Sequence, residues 1–367
     1  MFYKTNTINN ILLALVIILT MSSCMLAQTK DTTAPPANPL TITGLVDVNF
    51  NYNFNNPLSR NNGYRNFDVL ENQFNLNEAR ITFQKAAAPV GFRVDLAFGQ
   101  TMDLDNSDAY LGTEKSLKNV EQAFLTAVVP IGNGLTVNAG KMVTHMGGEV
   151  IETLGNINYS RSYLFALAIP YGHLGMCASY PFSSQFSATV YLYNGWNIVQ
   201  ENNTDKTFGA EITWTPYSAF TFIQNYIGGA EEANSTNKRH VFDSIFNLQA
   251  TDALFLTLNA DYGQESNTTA GFAVWKGVAL TGKFNVSDVS TIAARGEYYY
   301  DQSGFTTGIL QTLKELTLTY ECKFSGSLVT RLEYRYDFSD VSAFEDDMGN
   351  LSKSNQSTLL IGSVYSF

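Results

Sequence analysis

The chain has 367 residues, a formal net charge of −11 and only 15% charged residues, yet 25 Phe and 20 Tyr. The acidic balance argues against a nucleic-acid partner, which would need a surplus of Lys and Arg along a phosphate track. Beyond the N-terminus no apolar run reaches the ~20 residues that a membrane-spanning helix requires, so helical membrane proteins are excluded as well.

Residues 1–27 read as a secretion signal, with Lys4 as the positive n-region and Ile11 to Leu19 as an apolar stretch too short to span. Cleavage is expected after Ala27. An alternative reading acylates Cys24, but Met21, Ser22 and Ser23 lack the leucine that such a site carries three positions upstream. Removing 1–27 takes away Lys4 and no acid, and leaves Cys177 and Cys322 as the remaining thiols. They fall on distant strands and opposite faces, so no structural disulfide is expected. Residues 28–39, with Pro35, Pro36 and Pro39, form a polar periplasmic tether.

From 40 to 54 the chain alternates strictly. Leu40, Ile42, Gly44, Val46, Val48, Phe50, Tyr52 and Phe54 take one face; Thr41, Thr43, Leu45, Asp47, Asn49, Asn51 and Asn53 take the other. Period-two alternation puts each set on its own side of a pleated strand. A long Asn-rich loop follows, then a strand at 74–83 whose phase slips near Asn77 and Glu78, as at a bulge. Further strands are expected at 90–99, 120–129 and 135–143. The longest connection, 144–170, separates these from strands at 171–180, 186–193, 206–215, 220–228, 240–249, 254–263, 273–284, 289–300, 313–324, 328–338 and 357–367.

The count is about sixteen, an even number with both termini at one end, as a closed antiparallel up-and-down β-barrel requires. Short turns fall at one end and long loops at the other, which fits a transmembrane barrel over residues 40–367 with turns facing the periplasm. A secreted β-sandwich or propeller would need elements to cover the apolar faces, and none is evident. Leu359, Ile361, Tyr365 and Phe367 share a face of the last strand, and the terminal Phe367 suits recognition by barrel-insertion machinery.

Several segments carry a family resemblance. Gly140-Lys141-Met142, Gly148-Glu149-Val150-Ile151, Asn158-Tyr159-Ser160-Arg161-Ser162 and Ile169-Pro170 form the most specific block. Asn194-Gly195-Trp196, Tyr226-Ile227-Gly228-Gly229-Ala230-Glu231, Arg295-Gly296-Glu297 and Arg331-Leu332-Glu333-Tyr334 add to it. From about Thr41 to Phe367 the chain resembles the OmpL-like β-barrel porins of Gram-negative bacteria. The resemblance implies an outer-membrane pore and names no solute.

A pore works by its radius and by the groups that line it. The connection 144–170 carries His145, Glu149, Glu152 and Arg161 and is the expected constriction, with Arg161 facing Glu149 and Glu152; the alternative is a cap over the outer mouth. Alternation points Arg93, Asp95, Arg295, Glu297, Arg331, Glu333, Arg335 and Asp337 into the lumen, mostly as ion-pair ladders. An Arg or Lys on the lipid face would cost ~2–4 kcal/mol near the midplane. Tyr191, Tyr193, Phe255 and Tyr299 also take lumen positions, as space-fillers or as a sugar-stacking track.

Asp103, Asp105 and Glu114 faintly match the spacing of a calcium loop, but Asp108 stands where that loop needs Gly, and a solvated acidic loop is the simpler reading. No cofactor is expected. His145, His173 and His240 lack a recognisable nucleophile beside them, which disfavours an enzyme. The partners expected are outer-membrane lipid and lipopolysaccharide, the insertion machinery and small hydrophilic solutes. A surface receptor or adhesin using the long loops is the alternative function.

Overall fold

The computed structural model describes residues 39–267 and 271–367. The secretion signal, the Cys24 alternative and the tether up to residue 38 lie outside the described residues. Sixteen antiparallel strands close into one barrel. They are β1 (Thr41–Asn53), β2 (Gln73–Lys85), β3 (Val90–Phe98), β4 (Val120–Val129), β5 (Leu135–Val143), β6 (Gly172–Pro181), β7 (Phe186–Tyr193) and β8 (Thr207–Tyr217) in the first half. The second half holds β9 (Phe220–Ala230), β10 (Lys238–Gln249), β11 (Leu254–Asn267), β12 (Gly271–Asn285), β13 (Ser290–Asp301), β14 (Gln311–Lys323) and β15 (Leu328–Ser339). A separate two-stranded hairpin, β16 (Phe344–Glu345) with β17 (Leu351–Lys353), decorates the last long loop before β18 (Asn355–Ser366) completes the wall.

Burial along the strands is inverted relative to a water-soluble sheet. On β13 the buried residues include Arg295, Glu297 and Asp301, while Ile292 and Tyr298 are exposed. On β15, Arg331, Glu333, Arg335 and Asp337 are buried while Leu332, Tyr334 and Tyr336 are exposed. Apolar outside and charged inside is stable only when the outside meets lipid. No helix among the described residues is long and apolar enough to cross a membrane; the strands do the crossing.

Closure pairs β1 with β18, from Leu45 opposite Ser366 to Asn53 opposite Thr358. Phe367 extends this seam: its N–H and C=O each bond Gly44 at 3.0 Å. Gly44 is needed there, because a Cβ would sit 2.7 Å from the Phe367 ring. The phase slip near Asn77 is a bulge, since Asp47 pairs with Glu78 but Val48 pairs with Leu76.

The acidic connection after β3 departs from the expected solvated loop. It folds into short helices, Gln100–Asp105 and Asp108–Leu111, and a 3-10 turn, Lys115–Leu117. Tyr110 and Leu111 bury against Val199 and Leu174, so its apolar side chains, not its acids, decide its conformation. Ser107 caps the second helix by accepting the Tyr110 N–H.

Candidate functional site: the loop inside the barrel

The third long loop, between Val143 and Gly172, folds inward and docks on the barrel wall through its backbone. At its entry, His145 Nε2 meets the Tyr226 carbonyl at 3.1 Å and its ring stacks on Tyr191 with centroids 4.0 Å apart. Gly147 (φ +99°) then donates to Asp243 at 2.6 Å, and Gly148 donates to Asn259 at 3.0 Å. Glycine is required at 147, where the backbone is left-handed and a Cβ would lie 2.5 Å from Ile169.

Further along, wall carboxylates capture consecutive amides. Glu333 accepts the N–H groups of Tyr159 (2.6 Å) and Ser160 (2.9 Å); Glu297 accepts those of Tyr163 and Leu164, both at 2.7 Å. Wall arginines take the carbonyls. Arg331 donates to Thr153, Asn156 and Asn158 at 2.7–2.9 Å, Arg295 to Ser160 at 2.8 Å and Arg335 to Arg161 at 2.5 Å. Asp47 accepts the hydroxyls of Thr153 and Tyr159 at 2.5 and 2.7 Å. A π-helical turn, Leu164–Ala168, ends the inward excursion, and Trp275 Nε1 donates to the Ala168 carbonyl at 3.2 Å. Every irregular backbone group that this loop brings into the barrel needs such a partner, which is why the wall is polar there.

The predicted constriction residues take distinct places. Glu149 accepts from Arg295 (2.7 Å) and from the Ser162 amide (2.7 Å), with its side chain 17% exposed. Glu152 pairs with Arg80 at 2.6 Å and is more open than Glu149, its side chain 33% exposed. His145 is half-buried, and desolvation pushes its imidazole down to about 4. Arg161 is the correction. It does not face Glu149 and Glu152 across an aqueous gap but lies buried, donating to the carbonyls of Val150, Ile151 and Tyr159 within its own loop and stacking on Phe67. Five or so donors on one rigid fork suit a folded turn rich in orphan carbonyls better than they suit a lone charge in a pore.

The candidate lumen charges all turn inward, yet ladder pairing describes only part of them. Arg93 pairs with Asp95 at 2.9 Å, Arg335 with Asp337 at 2.8 Å and Arg331 with Glu321 at 2.8 Å. Arg295 pairs with Glu315 at 2.6 Å, while Glu297 and Glu333 spend their oxygens on loop amides. Residues that sequence reasoning passed over are equally involved: Asp47, Asp243, Asn259 and Arg65. Arg65, in the first long loop, reaches Asp337 at 2.6 Å and Asp68 at 2.6 Å. Alternation marks the wall residues as inward-facing, but nothing in the sequence singles out Arg65.

The aromatic candidates do not form one track. Tyr191 and Tyr193 stack on His145 and His173, Tyr299 is buried, and Phe255 alone of the four lines the cavity beneath the loop. Nor do the calcium-loop candidates converge. Asp103 pairs with Lys118 at 3.1 Å, Asp105 is buried, and Glu114 accepts from Gln200 at 3.0 Å. Among the described residues no group of three or more His, Cys, Asp or Glu is placed to hold a metal ion. Cys177 and Cys322 are both free thiols.

A sixteen-stranded barrel, lipid-facing outside and charged inside, with its third long loop tied into the lumen, is the architecture of an outer-membrane porin. The chain belongs to the family described as "Putative beta-barrel porin-2, OmpL-like", whose model matches residues 39–367. Its place is therefore the Gram-negative outer membrane. No curated protein sequence matches the chain. Among solved structures, it is similar to an anion-selective porin from Comamonas acidovorans (12% identity, TM-score 0.61, covering 90% of this chain and 99% of that one). It is also similar to the trimer form of OmpT of Vibrio cholerae (11%, 0.61, 90% and 99%) and to Salmonella typhi OmpF in complex with daunomycin (10%, 0.59, 90% and 98%). At these identities the likeness is one of fold.

Proposed function

We propose that the channel passes small hydrophilic solutes by diffusion, filtered where the third loop narrows the lumen. The observation that carries this reading is the docking of that loop by its backbone, which leaves its Gly148–Glu149 and Asn156 edge facing a cavity of about 230 Å³. Across the cavity stand Asn247, Phe255, Thr257 and Thr281. Amides and hydroxyls replace hydration water without holding a solute tightly, and the Glu149–Arg295 pair adds a local dipole instead of net charge. This favours neutral, hydroxyl-rich or zwitterionic solutes.

A barrel of this size holds an aqueous channel unless it is plugged. Purified protein in planar bilayers should give stepwise conductance, and liposomes carrying it should swell in small sugars. Folded protein that never conducts would favour a receptor or adhesin built on the long loops. A hydrolytic role finds less support: His145 and His173 are engaged with tyrosine rings, the Thr144 hydroxyl and backbone carbonyls, and among the described residues no serine or cysteine is bonded to either.

A further inference from the structure

The outer wall carries a cationic patch that channel function does not use. On β13 two successive outward residues are Tyr298 and Tyr300. Tyr300 stands opposite Lys276 of β12, and Tyr298 opposite Lys314 of β14. Each ammonium lies 5.9 Å from the centroid of its tyrosine ring. Both lysines are exposed, and among the described residues neither has a carboxylate partner. At the same end of the barrel Lys115, Lys118, Lys206 and Lys238 each pair with a carboxylate.

The depth of the patch follows from the strands. Toward the short-turn end the outward positions become Val278 and Leu280 on β12 and Leu316 and Leu318 on β14, all exposed and apolar. Lys276 and Lys314 therefore sit at the long-loop edge of the lipid-facing belt, among the tyrosines that mark a membrane interface. A lysine there extends its head toward polar headgroups, where an unpaired ammonium meets an anion. Between Leu280 and Leu316 the register places Gly296, and a Cβ on it would meet open space.

We infer that Lys276 and Lys314, with Tyr298 and Tyr300, form a docking site for the phosphorylated headgroup of an outer-leaflet lipid of the lipid A type. Each ammonium takes a phosphate oxygen as a point charge, and the tyrosine rings lie against the sugar. One acyl chain runs down the wall past Gly296.

Native mass spectrometry of the detergent-purified protein tests this with lipid A, with its dephosphorylated form and with inorganic phosphate. Wild type should retain lipid A, and Lys276→Met with Lys314→Met should weaken retention by about tenfold or more, the scale of a lost charge-assisted contact. Lys85→Gln, at the opposite rim, should change nothing. Dephosphorylated lipid should bind wild type no better than the double variant binds lipid A. Heat-modifiable mobility on a denaturing gel reports that each variant remains a folded barrel, and the single variants serve if the double one does not. Equal retention of lipid A by wild type and variants overturns the site. So does equal binding of the dephosphorylated lipid, and so does displacement of lipid A by inorganic phosphate.

Discussion

Glu333 on β15 and Tyr159 in the third long loop are joined by a bond from the Tyr159 N–H to the carboxylate at 2.6 Å, across 174 positions of chain. The second oxygen accepts Ser160, and Thr319 donates to the first. A residue whose alternation suggests an ion-pair ladder serves instead as a clamp on a loop. Glu297 repeats the arrangement one strand pair away.

Removing a clamp should loosen the loop without dissolving the barrel. Glu333→Ala is expected to cost on the order of 3 kcal/mol of loop docking, since hydrogen bonds to a charged group contribute about 1.5–3 kcal/mol each. Single-channel records should show larger, noisier conductance, and protease should cut within 144–170, while heat-modifiable gel mobility is retained. Quiet wild-type conductance in this variant would mean that the loop does not narrow the channel.

Arg161→Ala should act on loop order rather than on charge selectivity. The guanidinium serves carbonyls of Val150, Ile151 and Tyr159, and losing it strands buried acceptors at about 1–3 kcal/mol apiece. Arg161→Lys should rescue poorly, because one ammonium cannot span that fork. Fluctuating conductance in both variants is the expected record. A clean shift of reversal potential toward cations, at unchanged conductance, would restore the simpler view of Arg161 as a pore charge.

Selectivity should instead respond to the acids that keep some exposure. Glu152→Gln, with Glu149→Gln, is expected to move the reversal potential under a salt gradient toward anions. Glu152 should contribute more, since it is the more open and Glu149 is tied to Arg295 and Ser162. The shift should shrink as salt rises, with a screening length of ~10 Å at 0.1 M. A selectivity indifferent to both substitutions would place the narrowest point elsewhere.

Acid should release the loop through His145. Burial lowers its folded pKa from 6.5 to about 4, so the docked loop prefers the neutral ring. Its contribution is complete above 6.5 and is lost as pH falls from 6.5 toward 4, because the undocked loop binds the proton more readily. His145→Phe keeps a ring against Tyr191 and cannot titrate. Protease sensitivity of the loop should rise on acidification in wild type and respond less in this variant. Identical pH profiles would assign the response to the wall carboxylates.

The strands, their inward and outward faces and the bulge at Asn77 were legible in the sequence because each rests on a local period of two, which counting along the chain recovers. The same counting sends Arg295, Glu297, Arg331 and Glu333 to the lumen and identifies 144–170 as the longest connection. It carries no information on which inward side chain meets which loop atom. The contacts of Arg295, Glu297, Arg331 and Glu333 with the loop join residues more than a hundred positions apart, and only closure of β1 on β18 brings the walls around the loop. Arg161 shows the consequence. As a letter it is a lone positive charge among acids; whether its guanidinium meets water or carbonyl oxygens is decided by how the loop turns inside the barrel, where every backbone group removed from water must find a partner.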